Sequence, residues 1–95
     1  MKGTRVIPEG TNEIEKTLRA VLADVLSLSP ERVAAFTPET ELFGALPELD
    51  SMAVAGVLTE LEDRLGIVIE DDEVDGEMLE TFGALTTFAA TKVLN

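Results

Sequence analysis

The 95-residue chain is predicted to be all-α, a four-helix bundle of three main helices and one short helix with a long first loop. Apolar residues recur at helical spacing in three stretches, and prolines and glycines separate these stretches. The one β-like run, at residues 67–69, has no second run with which to pair. A chain this short can fill only one core. We therefore expect a single domain over residues 1–95, with residues 1–10 as a flexible N-terminal segment.

The first helix is expected over residues 12–28. Asn12 is a favourable N-cap, and Glu15 at the third helical position completes a variant of the capping box. Pro30 should end the element, because the residue before a proline is pushed out of the α region. One face of this helix is apolar at i, i+4, i+7, i+8 and i+11, the positions of Ile14, Leu18, Val21, Leu22 and Val25.

The first loop, residues 29–49, shows no sustained apolar period. A loop this long in so small a domain is expected to have a role. We expect a short helical turn over residues 31–35. The apolar side chains of the loop should pack down over the core, and they are Val33, Phe36, Leu42, Phe43 and Leu46.

The second main helix is expected from Ser51 to Leu65, and Gly66 should stop it by taking a left-handed conformation. Glu60 and Arg64 are four residues apart, so they should pair on the solvent side of this helix. Its apolar stripe consists of Val54, Leu58, Leu61 and Leu65.

After an acidic stretch, a short helix is expected over residues 77–80. Thr81 should then cap the last helix, because threonine is a favourable residue at that position. The apolar positions of the last helix are Phe82, Leu85, Phe88, Ala89 and Val93.

The composition excludes several kinds of chemistry. The chain has no cysteine and no histidine, so it can form neither a disulfide nor a thiolate or imidazole metal site. The same absences exclude nucleophiles activated by histidine. Nineteen acidic against seven basic residues would repel a phosphate backbone, so nucleic acid is not an expected partner. No apolar run is long enough for a secretory signal or a membrane span, and we expect a cytoplasmic protein.

The acidic stretch EDDEVDGEMLETF partly matches a calcium-binding loop. Asp71, Glu73 and Asp75 fall at alternate positions and Gly76 is sixth. The twelfth position, which requires a bidentate glutamate, is Phe82. This mismatch favours a solvated acidic turn that attracts cations loosely, and no specific metal site is predicted.

Ser51 follows Asp50 at the start of the second main helix, and two interpretations of it are open. Aspartate and serine are both common N-caps, so Ser51 could be structural only. However, Asp50 can cap the helix alone, which leaves the serine hydroxyl free. A phosphoester on that hydroxyl would face the unpaired N–H groups and the positive dipole end of the helix.

The chain resembles the acyl carrier protein family over nearly its whole length. The stretch LDSMAVAGVLTELEDRLGIVIEDDEV is similar to that family's second helix and following loop, with Asp50, Ser51 and Met52 in place of its Asp-Ser-Leu signature. The resemblance implies a carrier, not an enzyme, in which Ser51 receives 4′-phosphopantetheine from coenzyme A. It also implies a thiol on the cofactor that carries acyl groups as thioesters, which a chain without cysteine could not otherwise offer.

The resemblance further implies partner enzymes: a phosphopantetheinyl transferase, and acyl-transfer or acyl-activating enzymes with basic docking surfaces. Members that serve fatty acid synthesis usually place acids at the second and fifth positions after the serine, where this chain has Ala53 and Gly56. We expect these two small residues to lie at a partner surface whose acids are displaced to Glu60, Glu62 and Asp63.

In these departures the chain is similar to stand-alone bacterial carriers of specialised pathways, of the kind associated with exosortase and exopolysaccharide loci. A monomer is expected. The alternative hypothesis is an acidic helical module that binds proteins or cations, in which Ser51 only caps a helix.

Overall fold

The computed structural model describes residues 9–94. They form α1 (Glu9–Leu26), α2 (Pro30–Ala34), α3 (Ser51–Leu65), a 3-10 helix (Asp71–Glu73) and α4 (Phe82–Leu94). Over this range the structure contains no strand, and β-type pairing is limited to one bridge between Glu41 and Thr81. The all-α prediction is confirmed. None of the described helices is both long and apolar enough to cross a membrane.

Helix α1 differs from its predicted bounds at both ends. It begins at Glu9, so Asn12 lies inside the helix and the predicted N-cap is wrong. At the other end Ser27 takes a left-handed φ of 58°, and Leu28 donates its N–H back to the carbonyl of Ala23 at 3.0 Å. This turn, not Pro30, ends the helix. Of the predicted flexible segment, residues 1–8 lie outside the described residues.

The core lies between α1, α3 and α4, because α1 packs against both of the other long helices. Apolar stripes at helical spacing supply it, and the α1 stripe agrees with the prediction except that Val25 is only partly buried. In α3 the buried pair is Val57 and Leu61, four residues apart, so the predicted stripe is displaced and its members Val54, Leu58 and Leu65 are only partly buried. Val93, near the end of α4, is exposed. The fully enclosed side chains of the core are Leu18, Val21, Leu22, Leu42, Val57, Leu61, Phe82, Leu85 and Ala89.

Arg19 attaches the first loop to α1. Its Nη1 donates to the backbone carbonyls of Val33 and Phe36. The guanidinium also lies 4.7 Å from the centre of the Phe82 ring, which Phe36 contacts edge-on at 5.8 Å between centroids. These contacts bring the loop, α1 and the start of α4 together, so the loop is fixed by long-range contacts and not by local propensity.

The loop packs over the core as predicted, with one exception. Val33, Phe36 and Leu42 are buried and Leu46 packs against the core cluster. Phe43 is 46% exposed, so its predicted burial is wrong. The short helical turn expected over residues 31–35 is present as α2, and Ser29 caps it by accepting the N–H of Arg32 at 3.2 Å.

The short helix expected over residues 77–80 is not formed, and hydrogen-bonded turns occupy residues 76–80. Asp75 Oδ1 accepts the N–H of Met78 at 3.0 Å, which favours a turn. The carbonyls of Leu79 and Glu80 accept the N–H groups of Phe43 and Leu42 at 2.9 and 2.8 Å. Those carbonyls therefore bond to the first loop and not along a helix.

The ends of α3 and α4 agree with prediction. Helix α3 spans Ser51–Leu65, and Gly66 stops it with a left-handed φ of 66°. Thr81 Oγ1 accepts the N–H of Ala84 at 3.0 Å and caps α4. Glu60 and Arg64 form the predicted pair at 2.9 Å, and Arg64 also reaches Asp24 of α1 at 2.8 Å.

Candidate functional site

Ser51 is exposed at the first position of α3, while its neighbour caps the helix. Asp50 Oδ1 accepts the N–H of Ala53 at 2.8 Å, and the Asp50 carbonyl accepts the N–H of Val54 at 2.8 Å. Among the described residues, Ser51 Oγ forms no hydrogen bond. The cap is complete without the serine, so its hydroxyl is free to react.

The start of α3 is suited to an anion. Its first turn contains no acidic side chain. The first N–H groups of a helix have no intrahelical acceptor, and here those of Ser51 and Met52 lie beside the hydroxyl. An anionic group at such a position is stabilised by about 0.3–1 kcal/mol through the helix dipole. A phosphodiester on Ser51 Oγ would gain this interaction.

An apolar groove of about 300 Å³ opens beside Ser51. Phe43 and Val54 contribute to it from the loop and from α3, and its remaining lining residues are Val74, Asp75, Gly76 and Leu79. The serine can be found from the sequence, but this groove cannot. Only Val54, three residues after Ser51 and so on the same helix face, could have been found from spacing.

The residues that precede Ser51 are held by an ion pair. Arg32 Nη1 donates to Glu48 Oε2 at 2.9 Å, which ties α2 to the residues just before Asp50. This hydrogen bond holds the pKa of Glu48 below its ordinary value. The loop therefore enters α3 from a defined direction, although both partners of the pair are partly exposed and its contribution to stability is small.

The predicted partner residues fall into two groups. Ala53 packs against the core cluster, and a Cβ built on Gly56 would lie 3.3 Å from Cγ1 of Val25 in α1. Gly56 thus allows the close approach of α1 and α3, the packing explanation for a glycine inside a helix. Gly56 and Glu60 are four residues apart in α3, so they lie one helical turn from each other.

The other group lies at the far end of α3. Glu60, Glu62 and Asp63 line a shallow groove of about 420 Å³, together with Thr59, Ile67 and Val68. Glu62 also has a structural role, because its Oε2 accepts the N–H of Ile69 at 2.7 Å. Val68 is 65% exposed at this groove, so an apolar side chain lies among the carboxylates.

The acidic stretch after α3 is engaged in local contacts. Lys92 Nζ donates to both carboxylate oxygens of Glu73 at 2.9 Å, which holds the pKa of Glu73 below its ordinary value. Glu73 Oε1 also accepts the N–H of Glu70 at 2.8 Å. Among the residues with described positions, no three carboxylates converge as metal ligands. Weak, non-selective cation binding remains a prediction.

A helical bundle with a free serine at a capped helix start defines a carrier domain, and the comparisons agree. A family profile described as "Phosphopantetheine attachment site" matches residues 16–89. The chain belongs to this family of carrier proteins, which are not enzymes and which act with partner enzymes. Its cofactor is covalently attached 4′-phosphopantetheine.

One solved structure is informative in more detail. It is the solution NMR structure of a holo acyl carrier protein from Nitrosomonas europaea. The two chains are 40% identical, the alignment covers 87% of this chain and 98% of that one, and the TM-score is 0.78. The comparison with curated proteins gave no match.

The residues at the start of α3 fit this cofactor. Ser51 supplies an unbonded hydroxyl, and the first-turn N–H groups of Ser51 and Met52 stay open because the Asp50 carboxylate takes that of Ala53. The adjoining groove is mostly apolar in its lining, so it suits an uncharged chain more than a polar one. In this family the bound cofactor supplies the terminal thiol on which cargo is carried.

Proposed function

We propose that Ser51 is the attachment residue, and that the protein presents acyl groups as thioesters on its 4′-phosphopantetheine arm to partner enzymes. The observation that supports the assignment is that Asp50 and Ser51 have different roles at the start of α3. Asp50 satisfies the cap at 2.8 Å, and Ser51 keeps an exposed hydroxyl without a hydrogen-bond partner among the described residues.

In the loading reaction a phosphopantetheinyl transferase is the first partner. The Ser51 hydroxyl attacks the phosphorus of coenzyme A that bears the pantetheine arm. The bond from that phosphorus to the bridging oxygen breaks, and adenosine 3′,5′-bisphosphate leaves with the bridging oxygen. The hydroxyl proton passes to a base of the transferase. The new phosphodiester lies at the helix start, where the free N–H groups stabilise its charge.

We further propose that later partners, which are acyl-transfer or acyl-activating enzymes, dock through basic surfaces. The chain has a net charge of −12, and Glu60, Glu62 and Asp63 border an exposed valine at the end of α3. A basic surface with one apolar side chain complements this groove, and opposite charge speeds the encounter. The site of action is proposed to be the cytoplasm, with the carrier as a monomer.

The specialised pathway type stays a proposal, supported by Ala53 and Gly56 where general fatty acid carriers usually have acids. Its test is acyl loading of the wild type and of an Ala53→Asp/Gly56→Glu variant by a generic fatty acid acyl transferase. Better loading of the variant supports a dedicated partner, and equal loading contradicts partner selection at these positions. A large loss of stability would show that Gly56 serves only the contact with Val25.

Intact-mass measurement after co-expression with a phosphopantetheinyl transferase tests the central assignment. The wild type should gain the mass of one phosphopantetheine group, and Ser51→Ala should gain none while keeping its melting temperature. Ser29→Ala is the matched control, because Ser29 is an exposed serine that caps α2 and should not affect loading. A Ser51→Ala protein that still gains the mass would overturn the assignment.

A further inference from the structure

A second groove lies along α3 beyond the groove beside Ser51. The first groove, of about 300 Å³, contacts α3 at Ser51 and Val54. The second, of about 210 Å³, contacts α3 one turn further on and is lined by Ala55, Leu58, Thr59, Glu62, Ile69, Asp71 and Val74. Val74 lines both grooves, so this one side chain lies between them.

Val74 packs against the core cluster and directly follows a residue that is bonded to α4. Val74 follows the 3-10 helix and is only partly buried, and its N–H bonds the carbonyl of Asp71 at 3.2 Å. Glu73, directly before it, is tied to α4 by Lys92, whose ammonium contacts both carboxylate oxygens at 2.9 Å. The two side chains are 24% and 33% exposed, which shields the pair partly from water.

The Lys92–Glu73 ion pair connects α4 to a strongly acidic segment, residues 70–77. Residues 70–77 contain six acidic side chains and no basic one. Within the described part of the chain, Lys92 is the cation that forms an ion pair with this segment. Without it, the carboxylates would repel one another, and fewer contacts would hold the segment against the bundle.

We propose that Lys92 is a positioning residue that acts through Glu73 to hold Val74 between the two grooves. Release of the pair lets the segment move outward, and the two grooves merge into one longer groove along α3. The inference rests on the proposed function, because the longer groove matters only if cargo on Ser51 enters it. The Lys92–Glu73 pair would then set the length of the acyl group that the carrier shields.

Amide hydrogen exchange of the protein without cofactor tests the positioning role. In Lys92→Gln the amides of Val74 and Met78 should exchange at least ten-fold faster, and Lys92→Arg should restore the wild-type rates. Arg64→Gln is the matched control, since it also removes one ion-pairing cation but contacts Asp24 and Glu60 instead. Unchanged rates at Val74 and Met78 in Lys92→Gln would overturn the proposal, as would an equal increase in all helices.

If Lys92→Gln does not fold, the charge-exchanged variant Lys92→Glu/Glu73→Lys replaces it in the same measurement. Near wild-type exchange at Val74 in the exchanged variant supports the pair as the relevant contact. Fast exchange at Val74 with intact α1 and α3 would show that the pair does not position this residue.

Thioester reactivity tests the effect on cargo. The wild type and Lys92→Gln are loaded with a butyryl and a dodecanoyl group, and cleavage by hydroxylamine is timed. The ratio of dodecanoyl to butyryl cleavage should fall several-fold in Lys92→Gln, because the merged groove shields more of the long chain. An unchanged ratio overturns the division of the grooves by Val74. A protein that takes up no cofactor contradicts the proposed function alone, since the exchange measurement needs no cofactor.

Discussion

The two walls of the groove beside Ser51 are built in different ways. One wall is α3, which has a side-chain cap at Asp50, a left-handed glycine at its end and an enclosed stripe that includes Leu61. The other wall, residues 74–79, has no regular helix and is held by turns, by bonds to the first loop and by the Lys92–Glu73 pair. Under the proposed function, the first wall would hold the attachment residue in a fixed position and the second would offer an adaptable surface to the cargo.

The largest expected effect concerns the core behind the first wall. Leu61→Ala removes a fully buried side chain, so it should lower the free energy of unfolding by about 2–5 kcal/mol. Val74→Ala, in the second wall, should be much milder because Val74 is only partly buried. Urea unfolding of both variants measures the difference. Equal losses would contradict the contrast between a rigid and an adaptable wall.

The next effect concerns the cap. Asp50→Ala removes the acceptor of the Ala53 N–H and should lower the free energy of unfolding by about 0.5–2 kcal/mol. Asp50→Asn keeps an acceptor oxygen and is the control, with nearly wild-type stability. Equal stability of Asp50→Ala and Asp50→Asn would mean that the Ser51 hydroxyl can cap α3 in place of Asp50. That result would contradict the interpretation that the Ser51 hydroxyl has no structural role.

The contrast between the walls also explains what the sequence could predict. The limits of α3, its cap and its stop depend on residues within or next to the helix, so Asp50, Ser51 and Gly66 could be assigned from local pattern. The second wall depends on partners far along the chain. Lys92 and Glu73 are 19 residues apart, and no periodicity relates them.

The same reason accounts for the incorrect predictions. The stretch over residues 77–80 has a helix-like composition, but its carbonyls bond to Phe43 and Leu42 of the first loop. Its apolar character predicts that Phe43 is buried, yet its backbone N–H donates to Leu79 and its side chain lines the groove. Such long-range hydrogen bonds are not visible in a sequence period of two or 3.6 residues.

Acid should weaken the second wall through Glu73. Its pKa is lowered mainly by the hydrogen bond from Lys92, then by the backbone bond to Glu70. A depressed pKa contributes stability above the ordinary value of 4.5, and this contribution is lost as the pH falls through the folded-state value. The stability difference between the wild type and Glu73→Gln should therefore shrink below about pH 4.5.

Melting curves of both proteins from pH 7 downward measure that difference. The comparison with Glu73→Gln is needed because acid also removes the repulsion of a chain with net charge −12, which acts in the opposite direction. Glu48→Gln should show the same pH dependence, since Arg32 lowers the pKa of Glu48 in the same way. A wild-type advantage over Glu73→Gln that persists at low pH would contradict a stabilising ion pair.

The smallest expected effect is that of cations. Fourteen acids between residues 39 and 80 face Arg64 alone within that stretch, so millimolar Mg²⁺ or Ca²⁺ should raise the melting temperature by roughly 2–4 °C, the shift that corresponds to about half a kcal/mol in a domain of this size. The two ions should act alike, because the described residues contain no converging ligand set.

The rise should be larger in Lys92→Gln, since the segment over residues 70–77 then lacks its cation. Sodium chloride at equal ionic strength is the control for plain screening. Tight binding that selects calcium would instead support the acidic cation-binding module. An equal rise in melting temperature in the wild type and in Lys92→Gln would show that the repulsion is spread over the whole surface and not concentrated in the second wall.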